Sequence, residues 1–350
     1  MDRYAELVPQ MAQYEKYAKG GIPWLPYIMY FNALNYSSPV INTDSGGFRI
    51  SRSGMKRYSL QENLPPGPVS LVMGGSSAFG FGATCDQKTL ASLLSENNTG
   101  TPWLNLAAPA FNSTQEVVLF LLNRHLLPEV RDIVVYGGLN NLVVAGLPGA
   151  AENYGQFFFS GEFFGHFNGQ EVARTDVSHI PGRDSTSQNP LSRIARLLRP
   201  QSKKAGDAPS GPSAEERVEI ATRLLLKDLD RLLELAEPTG ARVHFVLQPT
   251  LSWTGKKRSA EEAALLEDDT GMWAQMWAGF QPVFAEAVYT EHAQRVEEIC
   301  KTRGVSFLDM NKSLLLSVNS DDWLFVDPVH LNDTGTEAVS EILKREFNLH

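Results

Sequence analysis

Cysteine is almost absent from this sequence. The two present, Cys85 and Cys300, stand far apart, which excludes a disulfide framework and any zinc-ligand spacing. Buried free thiols are their default state. An excess of positive charge is also missing. The chain has 31 Lys and Arg against 40 Asp and Glu, a net charge of −9. Phosphate backbones are bound by clustered cations, so no nucleic acid is expected as a partner. Long apolar runs are missing too. The most apolar early stretch, Trp24 to Leu34, is too short for a membrane span and contains Pro26. Residues 1–20 hold no apolar core of the signal-peptide kind, so the expected location is cytoplasmic.

What is there reads as an ordinary globular chain: 350 residues, 43% hydrophobic and 20% charged, enough for one large domain or a domain with a lobe. Residues 1–20 read as a polar helix, and Trp24 to Tyr36 is aromatic-rich. A clear break, Leu64-Pro65-Pro66-Gly67-Pro68, separates an N-terminal extension (1–63), expected to pack on the core, from a main domain (64–350). Strand patterns then alternate with helix patterns. Strands are expected at Val69–Met73, Trp103–Leu106, Ile133–Tyr136, Val243–Leu247 and Ser306–Leu308. Helices are expected at Gln87–Glu96, Thr114–Leu127, from Ser213 (with Glu216 as a capping box) to about Leu235, at about Val283–Arg303, and at Thr334–Phe347. Continuous β-branched runs between helices point to a parallel sheet covered on both faces.

The alternation is interrupted at about 146–212. This stretch opens with aromatics (Tyr154, Phe157, Phe158, Phe159, Phe163, Phe164, Phe167) and closes in a Lys-, Gly-, Pro- and Ser-rich linker at 200–212. It reads as an inserted lid or small subdomain followed by a flexible tether. The aromatics suit the core of that lobe better than an acyl-chain pocket. Lys256 to Asp269 is charged and expected to be exposed.

Chemistry concentrates at the strand ends. Ser70 to Met73 run into Gly74-Gly75, where glycine permits a sharp turn, and then into Ser76-Ser77. Asn105 to Asn112 follows the second strand, and Gly137-Gly138-Leu139-Asn140-Asn141 follows the third. Asp327-Pro328-Val329-His330 precedes the last helix. In a doubly wound sheet these ends converge on one edge. Ser, His, Asp and fixed amide donors are the components of an acyl-transfer site. Ser77 reads as the helix N-cap and His244 as a packed core histidine. His166 and His179 read as surface residues, and Glu267-Asp268-Asp269 as a solvated acidic loop. The remaining histidines (His125, His292, His350) show no metal spacing, and no phosphate-loop ending follows Gly82.

These four blocks, in this order, resemble the SGNH hydrolase superfamily, the GDSL-type esterases and lipases. The resemblance spans roughly Val69–Phe347 outside the insertion. It implies a flavodoxin-like three-layer α/β/α sandwich with a central parallel five-stranded sheet, and an ester hydrolase without metal or organic cofactor. It further implies Ser76 as nucleophile, His330 as base and Asp327 as its orienting carboxylate. The oxyanion donors would be the backbone N–H groups of Ser76 and Ala110 and the Asn140 amide. Three positions depart from the pattern. Gly75 and Asn141 stand where aspartates are usual, and Ala110 stands for a glycine, where a positive φ would strain an alanine and displace its N–H. The substrate class implied is a small-molecule or saccharide acyl ester, acetyl first. Two alternatives stay open: an acyltransferase using the same triad on an alcohol or amine, and a non-catalytic saccharide- or protein-binding member.

Overall fold

In the computed structural model the described residues are 3–20, 23–96, 101–147, 149–152, 155–161, 163, 212–267, 277 and 280–349. Most of the insertion, including Tyr154, Phe164, Phe167, His166, His179 and the 200–211 tether, lies outside them, as do Asp268, Asp269 and His350. Five parallel strands form the central sheet: β1 (Val69–Gly74), β2 (Trp103–Ala107), β3 (Val130–Gly137), β4 (Arg242–Leu247) and β5 (Ser306–Asp309). Their spatial order is 2-1-3-4-5, the flavodoxin-like arrangement. Every residue of β1 and β2 is buried. That is why their sequences, apart from Ser70 and Asn105, are apolar rather than alternating.

The helix expected over residues 1–20 is broken into a short piece, Arg3–Leu7, and α1 (Met11–Lys19); the other helices are α2 (Ser76–Phe79), α3 (Leu90–Glu96), α4 (Ser113–Asn123), α5 (Leu139–Val144), α6 (Ala214–Ala236), α7 (Ala260–Glu267), α8 (Glu286–Thr302), α9 (Met310–Ser317) and α10 (Asp333–Phe347). Helices α4, α5 and α8 each pack on α6 to form one layer, and α3 and α9 pack on α10 in the other. The long helix α6 starts where its sequence says it should. Ser213 Oγ accepts from the Glu216 N–H at 3.1 Å, and the Glu216 carboxylate accepts from the Ser213 N–H at 2.7 Å.

Helix α1 is less polar than its composition suggests. Met11, Tyr14 and Tyr17 recur at three-residue spacing on one face and are buried. That face seats the N-terminal segment against the chain that follows β1. The Tyr14 hydroxyl lies 2.7 Å from the Gly80 carbonyl and 2.9 Å from that of Ala83. Arg49, fully buried, pairs with Asp86 at 3.2 Å and donates to the Phe79, Gly80 and Val40 carbonyls. Its guanidinium also lies over the rings of Tyr14 and Phe79, 5.8 and 5.0 Å from their centroids. Helix α2 has only four residues, too few to satisfy its own carbonyls, and Arg49 and Tyr14 supply donors to its C-terminal end.

Arg49→Met removes the only cation that neutralises buried Asp86 among the described residues. The expected loss is about 3–5 kcal/mol in urea unfolding, because an unpaired charge is left in the interior. The Arg49→Met/Asp86→Asn double variant should recover some of it. An unchanged midpoint in the single variant would show that the pair contributes nothing.

Candidate active site

The carboxyl edge of the sheet carries the site. At the end of β1, Gly74 has φ +149°, and a Cβ there would fall 2.2 Å from the Tyr136 carbonyl oxygen. Only glycine lets the chain leave the strand this close to β3. Gly75 takes the N-cap position and Ser76 opens α2, which ends at Gly80 with φ +97°. The expected capping role of Ser77 is not realised, since the cap is Gly75 and has no side chain to offer. The Ser77 hydroxyl instead accepts from Gln248 Nε2 at 3.1 Å.

Ser76 Oγ lies 2.8 Å from His330 Nε2, and His330 Nδ1 lies 2.6 Å from Asp327 Oδ2. An ionised carboxylate only accepts, so Nδ1 carries the ring proton. Nε2 of a neutral imidazole is then left to accept from the serine hydroxyl. Asp327 is fixed in turn by its other oxygen, which accepts from the backbone N–H groups of Val329 (2.8 Å) and His330 (2.7 Å). Both Asp327 and His330 are buried.

The loop that presents His330 is anchored by a pair no motif announces. Glu262 Oε1 accepts from the N–H groups of Leu324 and Phe325 at 3.0 and 3.1 Å, while Oε2 pairs with Lys256 Nζ at 2.6 Å. Lys256 and Glu262 are both buried, against the expectation of an exposed stretch, while Lys257, Arg258 and Glu267 are exposed as expected. The two buried charges are desolvated together and every backbone group they meet is hydrogen-bonded, the condition under which a buried pair is tolerated.

Ala110 sits at φ +64°, in the left-handed region that costs an L-residue roughly 1–2 kcal/mol. Its carbonyl accepts from the Tyr30 hydroxyl at 2.9 Å, so the N-terminal segment holds this peptide. The N–H groups of Ala110 and of Ser76 have no acceptor among the described residues. Asn140 Nδ2 donates one hydrogen to the Phe111 carbonyl at 2.7 Å and keeps the other. That nitrogen would lie 2.4 Å from a Cβ on residue 75. The glycine standing where aspartate is usual is therefore what lets the amide come so close to the Ser76 turn.

Asn141 occupies the other aspartate position and keeps the hydrogen bond an aspartate could make, accepting from the Ser113 N–H at 3.0 Å. It also donates Nδ2–H to Ser113 Oγ at 2.7 Å, and that hydroxyl donates to Asp228 Oδ2, again at 2.7 Å. The buried carboxylate next to this turn is thus Asp228, linked to Asn141 through the Ser113 hydroxyl. Burial raises the Asp228 carboxyl. Burial and then the charge of Asp228 push neighbouring Glu116 up to about 8.

Beneath Asn140, His292 Nε2 donates to the Gly138 carbonyl at 3.1 Å, and burial depresses this imidazole to about 4. His244 lies 3.0 Å from Asp132 and stacks on Phe347, as a packed core residue would. Among the described residues no group of three His, Cys, Asp or Glu could hold a metal ion, and no helix is long and apolar enough to cross a membrane.

Of the insertion's aromatics, Phe159 packs on Tyr30 (ring centroids 5.2 Å apart), Phe163 on Trp24 (5.8 Å) and Phe158 on Phe280 (6.0 Å). They join the 280 segment and an N-terminal hairpin formed by the antiparallel strands Trp24–Leu25 and Met29–Tyr30. Sequence reasoning missed Tyr30, Arg49, Lys256, Glu262 and Trp277 as residues around the site.

No family model matches the chain, and no curated protein does. Among solved structures it is similar to a member of the lipolytic G-D-S-L family from Veillonella parvula. The identity is 10% over 81% of this chain and 99% of that one, with a TM-score of 0.43. An extracellular lipase from Streptomyces rimosus shares 13% identity over 80% and 100% of the two chains (TM-score 0.42). An acetylxylan esterase from Geobacillus stearothermophilus shares 10% over 82% and 97% (TM-score 0.41).

Two outcomes follow from this geometry. Asn141→Asp sets a second carboxylate against Ser113 Oγ, whose single hydrogen is already given to Asp228. Stability should fall by about 1–3 kcal/mol in chemical denaturation. Adding Asp228→Asn should restore most of it, and a double variant no better than the single would break that link. For His292, the folded value lies below the unfolded value of about 6.5. Its contribution is whole above pH 6.5 and is lost as pH falls towards 4. Urea unfolding at pH 7 and 4.5 should show wild type losing more stability than His292→Gln, by up to about 3 kcal/mol. Parallel losses would refute the assignment.

Proposed function

We propose that this protein is a serine hydrolase of acyl esters, with Ser76 as nucleophile. The observation that carries the reading is the hydrogen-bonded chain Ser76–His330–Asp327, at 2.8 and 2.6 Å, opening a helix at the carboxyl end of β1. His330 Nε2 takes the hydroxyl proton as Ser76 Oγ attacks the acyl carbonyl carbon. Asp327 keeps the imidazole oriented and stabilises its cation. Negative charge develops on the carbonyl oxygen, where the N–H groups of Ser76 and Ala110 and the second Asn140 hydrogen serve as donors. His330 then returns the proton to the leaving alkoxide oxygen. Water, deprotonated by the same nitrogen, attacks the acyl-enzyme and releases the acid.

The donor at Ala110 is held in place by the Tyr30 bond to the same residue's carbonyl, which favours a competent oxyanion site over a purely binding role. The substrate class we favour is an O-acylated small molecule or saccharide, with acetyl first among acyl groups. Transfer of the acyl group to an alcohol or amine is the second reading. The observation in its favour is the burial of His330 beneath the rings of Phe81 and Trp277, which restricts water at the base.

A fluorophosphonate should add once to the wild-type chain, with the intact mass rising by one adduct, and not at all to Ser76→Ala. Ester hydrolysis in Ser76→Ala and in His330→Gln should drop by at least about a thousandfold, and in Asn140→Ala by about a hundred- to thousandfold. An adduct that persists in Ser76→Ala would remove Ser76 from the role of nucleophile.

A further inference from the structure

Two aromatic rings lie against the His330 imidazole: Phe81, with centroids 5.2 Å apart, and Trp277, at 5.8 Å and inclined by 58°. Trp277 is 5% exposed and packs on Phe280 (5.6 Å) and Phe284 (6.0 Å). These neighbours offer no acceptor. Its indole Nε1–H is buried without a hydrogen-bond partner among the described residues. The fold gains nothing from leaving a buried donor without a protein partner, and such groups in native proteins call for an explanation. Other bulky side chains share the condition among the described residues: Trp103 Nε1 and Tyr136 Oη, and also Arg52 Nε, His244 Nδ1 and His292 Nδ1. Trp103, Tyr136 and His244 belong to strands of the central sheet, whereas Trp277 packs on the histidine that meets Ser76.

The chemistry identifies what stands beside that histidine. His330 Nε2 must hand its proton to the leaving oxygen, so the alcohol moiety of the ester lies at Nε2, while the acyl oxygen faces Ser76, Ala110 and Asn140. The Trp277 ring, 5.8 Å from the imidazole, therefore borders the side of the site that the alcohol moiety enters. We propose that Trp277 is a specificity-determining residue whose Nε1–H donates to a second oxygen of the alcohol moiety, adjacent to the esterified one. The substrate class is then an O-acylated polyol or sugar, with a neighbouring hydroxyl or ring oxygen as the acceptor. This inference rests on the serine-esterase reading. A site that pairs its buried donor with a substrate oxygen discriminates against an analogue lacking that oxygen, because the donor is then left unpaired.

The test compares methyl 2-O-acetyl-β-D-xylopyranoside with cyclohexyl acetate, a six-membered ring of similar size without neighbouring oxygens. Both are assayed on wild type, on Trp277→Phe, and on a chain carrying 3-benzothienylalanine at position 277, which replaces the N–H by sulfur and keeps the ring shape. Wild type should prefer the glycoside, and the ratio of the two kcat/KM values should fall by about 10- to 100-fold in both variants. A ratio that falls in Trp277→Phe but holds in the benzothienyl chain assigns the effect to shape and overturns the proposal. So does a wild type that reacts with fluorophosphonate at Ser76 yet shows no preference for the glycoside. A wild type that does not react with fluorophosphonate overturns the esterase reading itself, and this inference with it.

Discussion

The site depends on a backbone contact that leaves no room for a side chain. Gly82, in the loop after α2, has φ +95°, and a Cβ on it would fall 2.2 Å from the carbonyl oxygen of Leu331. Ser76 lies six residues before that glycine and His330 one residue before Leu331. The closeness of these two backbones therefore governs whether a serine and a histidine 254 residues apart can meet at 2.8 Å. Gly74 makes the equivalent contact earlier in the chain, against the Tyr136 carbonyl. Between them they fix where Ser76 stands relative to β3 on one side and to the histidine loop on the other. Thr84 extends the Gly82 contact, with its N–H and hydroxyl both reaching the Asp333 carboxylate at the start of α10.

Around this frame, buried charge serves architecture rather than chemistry. Arg49 neutralises Asp86 while supplying donors to the end of α2. Lys256 neutralises Glu262 while that carboxylate holds the backbone leading to Asp327. Each pair resolves the same conflict: an irregular, buried loop leaves peptide groups without partners, and a charged side chain satisfies several of them at once. Asp228 follows the same logic with one difference. It reaches the Asn140–Asn141 turn through the Ser113 hydroxyl, which lets an amide occupy position 141. An aspartate at 141 would instead set a second carboxylate against that hydroxyl.

The features of this arrangement legible in the sequence are the local ones. Five strands, the capping box at Ser213 and the four strand-end blocks are written in spacings of a few residues, so the sheet is readable to within a residue or two at most strand ends. The convergence of the first three blocks follows from topology, whereas Asp327 and His330 lie in the loop before α10 and are brought in by the Glu262 anchor and the Gly82–Leu331 contact. Arg49, Glu262, Tyr30 and Trp277 leave no such signal, because each acts on backbone or rings tens to hundreds of residues away. Lys256 and Glu262 sit in a stretch whose composition is that of an exposed surface, and only the opposing Leu324–Phe325 backbone makes their burial favourable. Ser77 misleads for a related reason. A serine near a helix start suggests a cap, but the turn after Gly74 shifts the cap to Gly75 and hands the Ser77 hydroxyl to Gln248.

Ala110 is where these constraints meet. Glycine would adopt φ +64° without strain; alanine does so at a cost of roughly 1–2 kcal/mol, and the methyl group returns no hydrogen bond for it. The Tyr30 hydroxyl bond to the Ala110 carbonyl, reinforced by the packing of the Tyr30 ring on Phe111 and Phe159, is of the right size to offset that cost. A left-handed residue that could otherwise relax is thereby held in the one conformation that leaves its N–H unpaired at the carboxyl edge. In this chain the N-terminal segment does for residue 110 what the absence of a side chain would do for a glycine. The segment therefore belongs to the construction of the proposed site, linked to it through the Tyr30 hydrogen bond to the Ala110 carbonyl.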